Sequence, residues 1–199
     1  MGNKCTTREP SNEEMTAARE ALVEWQTPEE FLAKVSSFDL LVESSTLFNK
    51  TSVGFLRDAL AIAEFTKHRA TNSVRLVDQK ERSHDGQFRH SGQTVDIEFT
   101  EVMEHGRRRG DEYRFCGATN VTARDFDPNL GKTISTELSK AIKRKAGKNY
   151  ATKPLLLVYL NISTGGRLGN EVEMTIDKLK IEYSKSFSEI CVLWAGKLF

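Results

Sequence analysis

Asp85 and Glu98 are the residues of this chain whose type and spacing best suit chemistry. Asp85 lies in Ser83-His84-Asp85-Gly86-Gln87-Phe88, a polar turn-forming stretch. Glu98, thirteen residues later, lies in Val95-Asp96-Ile97-Glu98-Phe99-Thr100-Glu101-Val102, which alternates strictly from Val95 to Thr100. Val95, Ile97 and Phe99 face one way, and Asp96, Glu98 and Thr100 the other, which predicts a strand with an acidic face. An Asp at a strand–turn edge and acids on a neighbouring strand let two or three carboxylates converge. Hard cations such as Mg²⁺ or Mn²⁺ take carboxylate oxygens and water. Such an ion lowers the pKa of water and offsets charge on a reacting phosphate. An edge strand with a solvated acidic face would carry the same residues.

Cations form two further groups. Arg107-Arg108-Arg109 stands in a loop bracketed by Gly106 and Gly110, where three guanidiniums could clamp phosphates. Glu101, Glu104, Asp111 and Glu112 could equally pair with them as ordinary solvated surface. Lys140, Lys143, Arg144 and Lys145 share one helical stretch, with Lys132, Lys148 and Lys153 nearby. On a chain of 29 basic and 28 acidic residues, net +1, such clustering points to a local phosphate contact. A whole-molecule electrostatic grip on nucleic acid is excluded. Cations near a helix C-terminus also complement its dipole, which accounts for part of the set.

Other chemistries lose their support. Cys5, Cys116 and Cys191 are odd in number and far apart, without a CxxC pair, so neither a zinc site nor a disulfide framework is expected. His68, His84, His90 and His105 are scattered and read as surface residues, although His84 and His90 flank the Asp85 turn. No GxGxxG, Walker A, G-x-S-x-G or HExxH pattern occurs. Met1-Gly2-Asn3-Lys4-Cys5-Thr6 meets the loose N-myristoylation pattern, yet reads better as a frayed polar terminus. The longest apolar run, Leu155 to Leu160, is too short to span a bilayer. No membrane association and a reducing, cytoplasmic setting are the expectation.

The elements that must position these residues follow from pattern. Ser11 with Glu13 and Glu14 predicts a capped helix to about Trp25. Thr27-Pro28-Glu29-Glu30 repeats that grammar before Phe31, Leu32, Val35 and Phe38. A third helix is expected over Val53 to Arg69 and a strand over 73–77. Gln79–Gly92 reads as turn or hairpin, and Glu104–Arg114 as loop or broken helix. A helix over 133–148, a strand covered on both faces at 154–160, a helix over 171–187 and a strand at 190–194 complete the order. With 199 residues, 38% of them hydrophobic, this predicts residues 1–10 as a flexible N-terminus and 11–52 as a helical extension. Residues 53–199 then form an α/β domain with a mixed central sheet flanked by helices.

This order, with its motif, resembles the PD-(D/E)XK, or restriction-endonuclease-like, nuclease superfamily. The resemblance covers about Val53 to Trp194. His84-Asp85 stands at the family's Pro-Asp, and Glu98-Phe99-Thr100 at its (Asp/Glu)-X-Lys. Glu64 stands where many members carry an extra acid on the preceding helix. Asp96–Glu101 together with Gly106–Tyr113 is also similar to small bacterial proteins of that fold. The resemblance implies Mg²⁺- or Mn²⁺-dependent hydrolysis of nucleic acid phosphodiesters. Asp85 and Glu98 would be the principal ligands, with Glu64 and Glu101 as secondary acids. Arg107, Arg108, Arg109, Lys140, Lys143 and Arg144 would contact nucleic acid, and a homodimer is compatible with it. Thr100 departs from the family's lysine, which serves charge at the attacked phosphate, and threonine carries no cation. Either Arg107, Lys140 or Lys143 supplies one from elsewhere, or the fold is a catalytically inactive module binding nucleic acid or protein.

Overall fold

The computed structural model describes residues 10–39, 42, 51–78, 80, 84–104, 106, 129–162 and 169–199. Helix α1 spans Asn12–Val23 and opens on a reciprocal cap: Ser11 Oγ accepts from the Glu14 N–H, and Glu14 accepts from the Ser11 N–H. Thr27 and Glu30 repeat this device at the start of α2, Pro28–Asp39. A single 3₁₀ turn, Thr51–Val53, leads into α3, Gly54–Lys67. Then follow β1 (Ser73–Leu76), β2 (Gly86–His90), β3 (Gln93–Val102), α4 (Leu130–Ala146), β4 (Leu155–Leu160), α5 (Gly169–Glu182), β5 (Glu189–Trp194) and β6 (Lys197–Leu198).

The described strands form one sheet in chain order, β1 to β6. The β1–β2, β2–β3 and β5–β6 pairs are antiparallel, and β3–β4 and β4–β5 parallel, each parallel pair joined through a helix. The result is a mixed sheet with helices on both faces. On one face, Leu22 of α1, Phe31 of α2 and Ile62 and Phe65 of α3 pack on Val74, Phe88, Ile97 and Leu157. On the other, Ile134, Leu138 and Ile142 of α4 and Ile176 of α5 pack on Leu156, Val158 and Val192. Strand β4 sits between these layers, which is why it is apolar at every position. No described helix is long and apolar enough to cross a membrane.

One refinement of the sequence reading and one difference from it bear on the site. The stretch expected to be turn or hairpin contains a full strand, β2, whose inward residues are only Gly86 and Phe88. Polar Gln87, Arg89 and His90 conceal its alternation. It turns into β3 through Ser91 and Gly92, both at positive φ (49° and 79°), as a two-residue hairpin loop requires. Strand β3 is not a solvated edge: it lies between β2 and β4, and Glu98 and Thr100 are buried. The expected flexible N-terminus and most of the 104–114 loop fall outside the described residues.

Candidate metal and phosphate site

The β2–β3 register pairs Gly86 with Ile97, which sets Asp85 across from Glu98 at the end of the ladder. The Asp85 N–H donates to the Ile97 carbonyl at 3.0 Å. Its carboxylate accepts the Phe99 N–H at 2.7 Å, so the side chain is held against β3. Glu98 lies under the C-terminal turn of α4, its side chain 4% exposed. Lys145 Nζ and Lys148 Nζ both donate to Glu98 Oε1, at 2.6 and 2.7 Å. Lys145 Nζ is also 3.9 Å from Asp85 Oδ2, which places one ammonium between the two acids. Beside them, Arg144 donates to Thr100 Oγ1 at 3.2 Å.

Helix phase explains this set of cations. Ile134, Leu138 and Ile142 form the buried stripe of α4, and Lys145, three residues beyond Ile142, continues it at the sheet. Lys140 lies off that stripe, 61% exposed and paired with Glu137 at 2.7 Å, and Lys143 is exposed. Neither supplies the expected cation. Arg107, Arg108 and Arg109 lie outside the described residues.

A cavity of about 500 Å³ opens over the acids, lined by Asp58, His84, Asp85, Glu98, Lys148 and Arg19 among others. The acid that α3 turns toward it is Asp58, not Glu64. Six helical residues separate the two, so they point to different sides. Glu64 instead pairs at the surface with Lys67 at 2.6 Å and His68 at 3.6 Å. Glu101 is likewise no partner of Glu98. Three positions along a strand reverse the face, and Glu101 accepts from Asn161 Nδ2 at 2.8 Å. His84 is 3.3 Å from Asp96 Oδ2 and stacks on Tyr150 at a centroid distance of 5.7 Å.

Electrostatics separate the three acids. Burial raises the Asp58 carboxyl to about 7, and the neighbouring Asp85 adds to the rise. Burial, then Glu98, raises Asp85 against the opposing Phe99 hydrogen bond and the lysines. Burial acts upward on Glu98 too, but its hydrogen bonds from Lys145 and Lys148 carry it below the ordinary value. Glu98 is thus held ionised while its neighbours tend toward protonation.

Among the described residues no group of three Asp, Glu, His or Cys side chains is spaced to hold a metal ion. Mg²⁺ commonly takes one or two carboxylates and completes its shell with water and substrate phosphate, so the Asp85–Glu98 pair has the donor chemistry it requires. Of the residues singled out in the sequence, the structure brings Asp85, Glu98, Thr100 and Arg144 together; Lys145 and Lys148 stood there only as members of the basic cluster, and Asp58 was not singled out. Continuing the α4 apolar stripe one turn would have found Lys145. Comparison of the chain with protein-family models, with curated proteins and with solved structures finds no match.

Proposed function

We propose that this chain is a metal-dependent nuclease of the PD-(D/E)XK, restriction-endonuclease-like kind, hydrolysing nucleic acid phosphodiesters with a cation taken from α4. The position of Lys145, within reach of both Asp85 and Glu98, carries the reading. It offers the ammonium that Thr100 cannot. Asp85 and Glu98 would hold Mg²⁺ or Mn²⁺, with Asp58 across the cavity as a further acid. The bound ion supplies Lewis acidity toward water and phosphate. Lys145 stabilises charge on the attacked phosphate from a low-dielectric position. Arg144, fixed on Thr100, adds a second cation one residue away.

The same contacts favour one other reading. Glu98 Oε1 already carries two lysines, an arrangement that suits a nuclease fold binding nucleic acid without cutting it.

The test is a melting curve with and without Mn²⁺, alongside cleavage of plasmid DNA and single-stranded RNA in Mg²⁺. The proposal expects Mn²⁺ to raise Tm, and Asp85→Asn with Glu98→Gln to remove the rise. It also expects cleavage that falls at least 100-fold in Lys145→Met, the loss typical of a missing electrostatic stabiliser. Retention of DNA at low salt without a Mn²⁺ shift or cleavage would leave the binding module. A Mn²⁺ shift that survives in the double variant would place the metal elsewhere.

A further inference from the structure

Among the described residues, the sheet face that carries Glu98 is only partly roofed. The apolar cluster beneath α4 and α5 draws on β3, β4 and β5 and contains no residue of β1 or β2. Over those two strands the described side chains are polar: Arg75, Gln87 and Arg89, with Asp96 of β3 beside them. The turn between α1 and α2 reaches round the edge of β1, where Gln26 and Val74 exchange backbone hydrogen bonds at 3.2 and 2.9 Å. That bridge brings Trp25 to the arginines. The Arg89 guanidinium lies 4.1 Å from the indole centroid and the Arg75 guanidinium 5.0 Å from it.

This group is tied to the acidic site along the same face. Arg75 Nε donates to Gln87 Oε1 at 2.9 Å, and Gln87 Nε2 to Asp96 Oδ1 at 2.7 Å. Asp96 Oδ2 then takes Thr152 at 2.9 Å and faces His84 Nε2 at 3.3 Å. His84 lines the cavity with Asp85 and Glu98. Asp96 is therefore held by Gln87, Thr152 and His84, while the Arg75 and Arg89 guanidiniums lie over the Trp25 ring. Arg89, four residues along β2 from Asp85, stands about 13 Å from it.

We propose that Trp25, Arg75 and Arg89 form a docking platform for single-stranded nucleic acid, leading the strand along this face of β1 to β3 to the Asp85–Glu98 site. This deepens the nuclease reading, on which the strand's destination rests, by naming its substrate class. A guanidinium lying over an indole presents a charge to phosphate beside an aromatic surface on which a base can stack. Unpaired bases can stack on such a surface, whereas duplex bases are already stacked and enclosed. The net charge near zero makes a local platform, rather than a diffuse field, the means of capture.

The test titrates the full chain in EDTA with a 15-residue oligothymidylate, the matching oligouridylate, and a 15-base-pair duplex. The chain has two tryptophans, and Trp194 is buried, so Trp25 is the half-exposed reporter. Either single strand should quench tryptophan fluorescence, and Trp25→Phe should remove the quenching. Arg89→Gln should weaken binding about tenfold, within the range of one lost stacking contact. Arg75→Gln with Arg89→Gln should flatten the salt slope by about 1.4, the value for two phosphates on a single strand. Preference for one of the two strands then names DNA or RNA. Tighter binding of the duplex, binding without Trp25 quenching, unchanged affinity and slope in the arginine variants, or no binding would each overturn the platform. Arg89→Gln should keep the Mn²⁺ shift in Tm. Normal strand binding without any Mn²⁺ shift or cleavage would instead remove the nuclease reading and leave the platform standing.

Discussion

Asp58 shows how one residue's surroundings become a property of the whole chain. Burial, then the nearby Asp85, lifts its carboxyl from 3.8 to about 7, while Arg57, Lys145 and Arg19 pull the other way. A carboxyl raised in the folded state binds its proton more tightly there than in the unfolded chain. Its contribution to stability is complete below about pH 4 and is lost as pH rises to about 7. Asp58→Asn, which carries no charge at any pH, should lack this loss. Its stability relative to wild type should therefore grow through that window by on the order of 3 kcal/mol. Urea unfolding at pH 4.5, 6 and 8 measures it, and parallel curves for the two proteins would refute the assignment. Asp58 was not legible in the sequence. Nothing in Arg57-Asp58-Ala59 marks it, and only the packed α3 decides that it, rather than Glu64, meets the cavity. The face of Glu98 was legible, because period-two alternation names the face that a strand residue occupies, whereas Asp85 stood out only as an acid in a polar turn.

At the scale of elements, the seat of α3 on the β2 strand decides where Asp58 stands. Gly86, the first residue of β2, has no room for a side chain. A Cβ there would lie 2.6 Å from Ile62 Cδ1 and 3.1 Å from the Arg75 carbonyl oxygen. Gly86→Ala should cost about 1–3 kcal/mol, the range for overpacking a tight core. The closer conflict is with one terminal methyl, which Ile62→Val removes. Gly86→Ala with Ile62→Val should consequently lose less stability than the two changes added, a coupling that a double-mutant cycle in urea reads directly. Strict additivity would mean that the carbonyl, not Ile62, resists the new methyl. The helices were readable because they announce themselves: Ser11 and Thr27 cap, Pro28 starts a helix, and Ile134, Leu138 and Ile142 keep one stripe. Strand β2 was hidden because two of its five residues face a core and the rest face solvent or polar neighbours. Short β6 had too little pattern to show at all.

At the scale of the whole molecule, one sheet joins two cores. Met15, Ala18 and Leu22 of α1 and Phe31 and Val35 of α2 belong to the same buried cluster as α3 and the inner faces of β1 to β5. Trp194 lies in the other cluster, beneath α4 and α5. Residues read from sequence as a helical extension thus bury their apolar faces in the core that seats Asp58, and the α1–α2 turn supplies Trp25 to the arginines of β1 and β2. If the two cores unfold as one unit, damage in the first must be felt in the second. Leu22 is fully buried, and Leu22→Ala should cost about 2–5 kcal/mol. In a Trp25→Phe background the remaining fluorescence comes from Trp194, across the sheet from Leu22. Its urea midpoint should fall with Leu22→Ala by the same amount as the midpoint from far-ultraviolet circular dichroism. A Trp194 transition that stays in place while part of the helical signal is lost early would show that α1 and α2 unfold independently. The placement of Arg19, Trp25 and Asp58 would then depend on a docked unit rather than on the common core.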